Sequence, residues 1–330
     1  MNIRTKAMIF AVCAGMAAVC GAGPAWTQAT QAYPAKPIHI VVPFPPGGPS
    51  DYAARSVSQN LPALIGQSVI VENRTGGAGI TGTDAVAKSA PDGYTLLVAT
   101  VGVMVIAPYL FPKLPYDPFK DFAPITNLIS GPTILVVHPS VPAHSVQELI
   151  ALAKAKPGVL TYGGTGNGQI SHLNGELFKS LSGVDILHVP YKGAAPLLPE
   201  MISGQLSMHF ATASDGINLV RAGRLRALAV TSLKRLAALP EVPTMDESGL
   251  KGYDVANWNA IWAPAATPRA VVEKLNRDIC RAMNAPAVKD RVVAQSNLVV
   301  CDTPDEFAAY IRREAAKWSK VVKDAQIKLD

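Results

Sequence analysis

The chain has 330 residues, of which 49% are hydrophobic and 16% are charged, and its formal net charge is +6. This composition excludes a disordered protein, and roughly 300 residues beyond the N-terminus suffice for two lobes with separate cores. The basic residues are scattered and often neighbour acidic ones, so no basic stripe with interleaved aromatics predicts a nucleic-acid partner.

The N-terminus predicts a cleaved secretory signal peptide over residues 1–29. Arg4 and Lys6 form a positive start, an apolar run follows, and small residues lead to Ala29. The apolar run is shorter than the roughly 20 residues that a membrane-spanning helix needs, although a retained anchor is the alternative. Cys20 lacks the leucine-containing sequence of a lipoprotein signal, so we expect export without a lipid anchor.

Beyond the signal, the chain repeats the order strand, loop, helix in two sets. Short apolar runs typical of strands alternate with helix-length stretches, which predicts α/β lobes with mixed, mostly parallel sheets flanked by helices. The first set has predicted strands at 38–42, 67–72 and 94–99, and predicted helices at 50–61 and 85–88. The second set has predicted strands at 133–137, 160–162, 186–189, 206–210 and 225–231, and predicted helices at 145–154, 170–181 and 197–203.

No Gly- or Ser-rich linker separates the two sets, so we expect short crossing segments near Ser130 and between Gly249 and Ala263. The apolar stretch Leu96 to Phe111 is predicted to be a strand that runs into a loop, since it contains glycine and proline. The C-terminal region is predicted to return to the first lobe as helices at 269–284, 287–295 and 304–323.

Cys280 and Cys301 remain after the signal is removed, and they form a candidate disulfide. Cys280 lies late in a predicted helix, and Cys301 follows a strand-like run that could return beside that helix. Two buried free thiols are the alternative.

Two glycine-rich loops follow predicted strands and open predicted helices. They are Pro45 to Asp51 and Thr165 to Gln169. A helix N-terminus offers unpaired N–H groups and a partial positive charge to an anion, and ligands bind at the carboxyl ends of strands in open α/β sheets. Facing each other across a cleft, the loops would hold a carboxylate. Ordinary turns that cap ordinary helices are the alternative.

The sequence predicts no catalytic residue, no metal and no cofactor. The loop 163–168 misses the third glycine of the dinucleotide fingerprint, and no Walker or Gly-x-Ser-x-Gly motif is present. The six histidines show no metal-binding spacing. A secreted nucleotide-dependent enzyme that uses the loop Gly163 to Gly168 is the alternative.

Long motifs in the mature chain resemble the Bug family, the solute-binding receptors of tripartite tricarboxylate transporters. The motifs include Tyr-Pro-x-Lys-Pro-Ile at 33–38, Val-Val-Pro-Phe-Pro-Pro-Gly-Gly at 41–48, Val-Glu-Asn-Arg at 71–74, Asp-Gly-Tyr-Thr-Leu-Leu at 92–97, Val-Pro-Tyr-Lys-Gly at 189–193 and Leu-Arg-Ala-Leu-Ala-Val-Thr-Ser at 225–232. They occur in order and cover essentially the whole mature chain.

The resemblance implies a two-lobed periplasmic-binding-protein fold of the Venus-flytrap type. Lobe 1 would comprise 33–131 and 252–330, and lobe 2 would comprise 132–251. Such a receptor is not an enzyme: it is a periplasmic monomer that captures a small organic acid and delivers it to the membrane subunits of the transporter. An orphan receptor that feeds a sensor kinase is the alternative.

The resemblance also implies the binding residues. Gln169 stands where the family usually has a small residue, and 101–105 is unusually apolar, which favours an aromatic or longer monocarboxylate over the usual dicarboxylate or amino acid. The hydroxyls of Ser50 and Thr165 are expected to donate to the ligand. Asp51 would either cap a helix beside Arg55 or orient a water or a ligand amine. The full set is Phe44, Pro46, Gly47, Ser50, Asp51, Thr100, Val101, Thr165, Gly166, Asn167, Gln169, Thr212, Ala213 and Ser214.

Overall fold

The computed structural model describes residues 33–111 and 113–324. The predicted signal peptide and Cys20 lie outside these residues. No helix among the described residues is long and apolar enough to span a bilayer.

The first part of the sheet is parallel and buried. Strand β1 (Ile38–Val42) lies between β2 (Val69–Asn73) and β3 (Thr95–Thr100). The side chains of β1 and β3 are almost entirely buried, which is typical of a parallel strand covered on both faces. The connecting helices are α1 (Pro49–Asn60), α2 (Pro62–Ile65) and α3 (Ile80–Ala87).

Two long strands join the two parts of the sheet. Strand β9 (Ala256–Pro264) pairs antiparallel with β3 and with β4 (Phe122–Val137) as far as Pro132. From Thr133 onward β4 pairs instead with β7 (Met208–Thr212) and β8 (Arg226–Val230). All antiparallel pairs of the described residues involve β4 or β9. The predicted lobe boundary at 131–132 coincides with this change of partner, and the boundaries remain a prediction.

The second part of the sheet is parallel away from β4. Strand β5 (Thr161–Gly164) pairs with β6 (Leu187–Pro190) and with β7. Its helices are α5 (Val146–Ala155), α6 (Ile170–Ser182), α7 (Ala194–Ser203) and α8 (Ala213–Arg221). The C-terminal elements are α9 (Arg269–Met283), α10 (Pro286–Ala294), β10 (Leu298–Val299) and α11 (Pro304–Asp324). Helix α9 packs against both α1 and β4, so the C-terminal region contacts the first part of the fold, as expected.

Three sequence interpretations need correction. The crossing segments are not short connections but parts of the long strands β4 and β9. The sequence did not indicate these strands, because prolines and asparagines interrupt their apolar pattern. The residues after β3 are not a loop: Gly102–Ile106 form a π-helical turn and Ala107–Leu110 form the short helix α4. The turn Gly102–Ile106 is buried throughout in the core, where a loop would leave its backbone groups unpaired. Helix α8 was not predicted, although Thr212 caps it by accepting the N–H of Asp215.

Cys280 and Cys301 lie beside each other as free thiols. The Sγ atom of Cys301 is 4.0 Å from the carbonyl oxygen of Cys280, and the Cys280 Sγ is 3.7 Å from Thr126 Oγ1. The topology therefore brings β10 back beside α9, as the disulfide hypothesis requires. The disulfide itself stays a prediction.

Candidate functional site

A cavity of about 590 Å³ opens between segments that are distant in sequence. Its lining comes from the loop after β1, the first turns of α8, the strand β9 and the segment that joins α10 to β10. The predicted site residues in this lining are Gly47, Thr212, Ala213 and Ser214. Residues that the sequence reasoning missed include Asn257, Asn259 and the segment Gln295 to Asn297.

Two helix N-termini face this cavity. Helix α1 begins at Pro49 after Gly47 and Gly48, and α8 begins at Ala213 after its cap Thr212. The first turn of each helix leaves N–H groups without intrahelical partners, and the macrodipole adds a partial positive charge there. The arrangement therefore favours an anionic group in the cavity.

The side chain of Asp51 stabilises the loop before α1 through hydrogen bonds. Its carboxylate is buried and accepts hydrogen bonds from the Gly47 N–H (2.9 Å), from Arg55 Nε (2.8 Å) and from Asn73 Nδ2 (3.1 Å). Burial alone would raise the pKa of Asp51, but these three hydrogen bonds outweigh it and keep the pKa below its ordinary value. Gly47 has a positive φ of 85°, a backbone conformation that favours glycine. Of the two roles considered for Asp51, the geometry supports the cap beside Arg55.

Ser50 does not line the cavity itself but is hydrogen-bonded to Asn259, which does. Its Oγ donates to Asn259 Oδ1 at 2.7 Å, and both side chains are buried. This bond leaves Asn259 Nδ2 without a partner among the described residues, on a side chain that lines the cavity. Asn259 is a donor that the sequence reasoning missed, and the signal for it was an Ala-Asn-Trp-Asn run inside an otherwise apolar segment.

The second glycine loop is not part of the lining of this cavity. Thr165 Oγ1 is hydrogen-bonded to Ser171 Oγ at 2.9 Å, so its hydroxyl already has a protein partner. Gln169 Nε2 lies 3.5 Å from the carbonyl oxygen of Ala78, and its Oε1 approaches Gly102. The loop therefore meets the first part of the fold near 78 and 102.

Other predicted site residues lie around these two loops. Phe44 packs against Gly79, and Pro46 is exposed beside Gly47. Val101 is fully buried in the hydrophobic core. The Oγ1 of Thr100 is buried without a hydrogen-bond partner in the described part of the chain.

Buried histidines support the second glycine loop. The N–H of Gly168 donates to His172 Nδ1 at 3.1 Å, and the His172 ring stacks on His188 with 4.0 Å between ring centroids. His209 Nδ1 lies 2.8 Å from the carbonyl oxygen of Gly163, just before the loop. Burial lowers the pKa of each of these histidines to about 4, so all three are neutral at neutral pH.

Residues 53–327 match the tripartite tricarboxylate transporter family receptor. The chain belongs to this family. The receptor is 37% identical to protein BugT of Bordetella pertussis over 312 residues, which cover 94% of this chain and 96% of BugT. The resemblance to the Bug family is thereby confirmed.

Solved structures show the same fold. The structure of R. palustris Rpa4515 with adipate has a TM-score of 0.83 and 34% identity, and the match covers 90% of this receptor and 100% of that chain. MatC (Rpa3494) from Rhodopseudomonas palustris with bound malate has a TM-score of 0.81 and 32% identity, with 88% and 100% covered. The two-lobed α/β fold is confirmed. Members of this family are periplasmic substrate-binding receptors and not enzymes, which confirms the expectation of a non-catalytic protein.

Proposed function

We propose that this receptor captures a small organic carboxylate in the cavity between its two lobes and delivers it to the membrane subunits of a tripartite tricarboxylate transporter. The observation that carries the proposal is the meeting of two helix N-termini, those of α1 and α8, at one cavity. The relatives Rpa4515 and MatC, solved with adipate and with malate, support the same ligand class.

The energetics of such a site suffice without a dedicated arginine. Each helix terminus contributes about 0.3–1 kcal/mol, and each hydrogen bond to a charged group contributes roughly 1.5–3 kcal/mol. A few such bonds, less the cost of closing the lobes, reach the roughly 8 kcal/mol of a micromolar complex. Asn259 Nδ2 and the N–H groups of Ala213 and Ser214, at the start of α8, are the donors that we assign to the carboxylate.

The proposal includes the organisation of the chain. Lobe 1 comprises 33–131 and 252–330, lobe 2 comprises 132–251, and the change of partner along β4 supports this division. Residues 1–29 act as a cleaved signal peptide that places a monomer in the periplasm, and this location suits a receptor that serves a membrane transporter.

A thermal-shift screen over dicarboxylates, amino acids and aromatic acids tests the ligand class. A ligand at 100 times its dissociation constant adds about 2.7 kcal/mol to the free energy of unfolding, so the melting temperature is expected to rise by several degrees. ATP and NAD serve as anionic controls and are expected to leave the melting temperature unchanged. Stabilisation by these nucleotides and by no carboxylate would contradict the proposal.

Ser50→Ala tests the route by which Ser50 acts. The substitution removes the donor that orients Asn259, so affinity for the carboxylate found in the screen is expected to fall about fivefold to tenfold, or about 1 kcal/mol. Isothermal titration calorimetry measures the change. The control is Ser58→Ala in the same helix, where the hydroxyl bonds only to the Arg55 carbonyl and does not line the cavity. Equal affinities for Ser50→Ala and the control would show that Asn259 needs no support.

A further inference from the structure

The charged side chains in the cavity lining are one acid and one base. They are Asp215 and Arg221, both on α8, and the remaining polar groups of the described lining are amides, hydroxyls and the backbone. The formal charges of the two side chains cancel. A plain dicarboxylate brings two negative charges to this wall, whereas an amino acid brings charges of both signs.

Asp215 has no cationic partner among the described residues. It is the third residue of α8, and its Oδ2 accepts a hydrogen bond from Thr212 Oγ1 at 2.7 Å. Its Oδ1 has no hydrogen-bond partner in the described part of the chain. Arg221, in the same lining, is exposed and donates from Nη2 to the carbonyl oxygen of Ala238 at 3.1 Å, so it does not neutralise Asp215.

The surroundings of Asp215 leave its charge incompletely compensated. Burial raises the pKa of Asp215, and the hydrogen bond from Thr212 only partly offsets this effect. A carboxylate in such a place repels a second anionic group, and it is stabilised by an ammonium group that arrives with three donors. The N-termini of α1 and α8 remain available to the ligand's own carboxylate, because both contribute other residues to the same lining.

We infer that the ligand is an amino-carboxylate whose ammonium group binds Asp215, and that Asp215 thereby selects amino acids over carboxylates of the same shape without an amine. The inference rests on the proposed function, since it assigns a second contact to the same ligand. It differs from the expectation drawn from Gln169 and 101–105, which favoured an aromatic or longer monocarboxylate.

A purely structural role of Asp215 is the competing explanation. An acidic residue in the first turn of a helix stabilises that helix through the macrodipole, and the N–H of Asp215 already bonds to Thr212 Oγ1. This role does not depend on the ligand. The two explanations therefore predict different results for Asp215→Asn. A helix-capping role leaves the ratio of affinities for ligands with and without an amine unchanged, whereas a contact with the ammonium group changes it.

The experiment uses matched ligand pairs that differ only in the α-ammonium group. The pairs are aspartate and succinate, glutamate and glutarate, and phenylalanine and 3-phenylpropionate, with malate added to probe a hydroxyl. Calorimetry of the wild-type receptor is expected to show at least tenfold tighter binding of the amino acid in one pair. In Asp215→Asn, affinity for that amino acid is expected to fall at least tenfold, while affinity for its deaminated partner rises.

The control variant is Asp185→Asn, which removes an exposed acid outside the cavity and is expected to keep the wild-type ratio. A preference for the deaminated partners or for malate alone would overturn the inference and leave the proposed function standing. An equal loss for both members of a pair in Asp215→Asn would assign Asp215 a structural role only. Failure of every carboxylate and amino acid to bind would overturn the proposed function as well.

Discussion

Asp51→Asn is expected to lower the free energy of unfolding by about 3 kcal/mol and to weaken ligand binding by more than roughly a hundredfold. The carboxylate accepts from Gly47, Arg55 and Asn73 at once. In Asp51→Asn, an NH2 group replaces one carboxylate oxygen. At least one of the three donor groups then faces another donor and not an acceptor. Each buried donor left unpaired costs about 1–3 kcal/mol, and the glycine loop loses its support.

Urea unfolding and calorimetry measure the two effects separately. The matched control is Asp84→Asn, which breaks another acid–base pair at i,i+4 on a helix, with Lys88, and supports no loop amide. We expect the control to lose at most about 0.5 kcal/mol, as is usual for an exposed ion pair, and to bind as the wild type does. Wild-type affinity in Asp51→Asn would show that the loop keeps its conformation without the carboxylate.

Acidification from pH 7.5 to pH 5 is expected to cost the folded receptor about 4 kcal/mol through His172 and His209 alone. In the folded protein their pKa is about 4, compared with an ordinary value of 6.5. The unfolded chain therefore binds protons between these values while the folded protein does not. Stability from this source is complete above about pH 6.5 and is lost as the pH falls towards 4, at about 2 kcal/mol for each histidine by pH 5.

A comparison of variants separates the contribution of the histidines to the pH dependence of stability from that of the carboxyl groups, which also titrate in acid. In His209→Asn, the amide is expected to keep a donor for the Gly163 carbonyl, and the loss of stability between pH 7.5 and pH 5 is expected to shrink by about 2 kcal/mol. In His144→Asn, which replaces an exposed histidine, the wild-type pH dependence is expected. Urea unfolding at both pH values measures all three proteins. An unchanged pH dependence in His209→Asn would mean that His209 has its ordinary pKa in the folded protein.

Local patterns in the sequence predicted most of the parallel strands and their helices. The run 38–42 became β1 as predicted, because a buried parallel strand is a continuous apolar run between a turn and a loop. The same reasoning missed the first half of β4 and all of β9. These strands contain Pro124, Pro132 and the asparagines of the cavity, which do not look like strand residues until their partners in the sheet are known.

The family resemblance supplied Thr212, Ala213 and Ser214 of the cavity lining, and otherwise the candidate site was predictable only where a loop follows a strand and precedes a helix in the sequence. Gly47 follows a strand and precedes a helix in the sequence, so its place in the cavity could be expected. Asn259 and Asn297 come from β9 and from the turn before β10, and only the topology brings them to the loop of Gly47. Asp215 escaped notice for a related reason, because a polar, glycine-containing segment gave no clear indication of helix α8.

The shared strand β4 also constrains any movement of one part of the sheet against the other. Its backbone is continuous through both parts, so we expect a rotation between them to be concentrated at Gly131 and Pro132, which pair with Asn257 and Ala256. Asn257 lies in the cavity lining, and Asn297 of that lining packs directly on Gly131, where a side chain would collide with it. A ligand bound in this cavity would therefore contact residues at the point where β4 changes its partner strands, so we expect ligand binding and the angle between the lobes to be coupled.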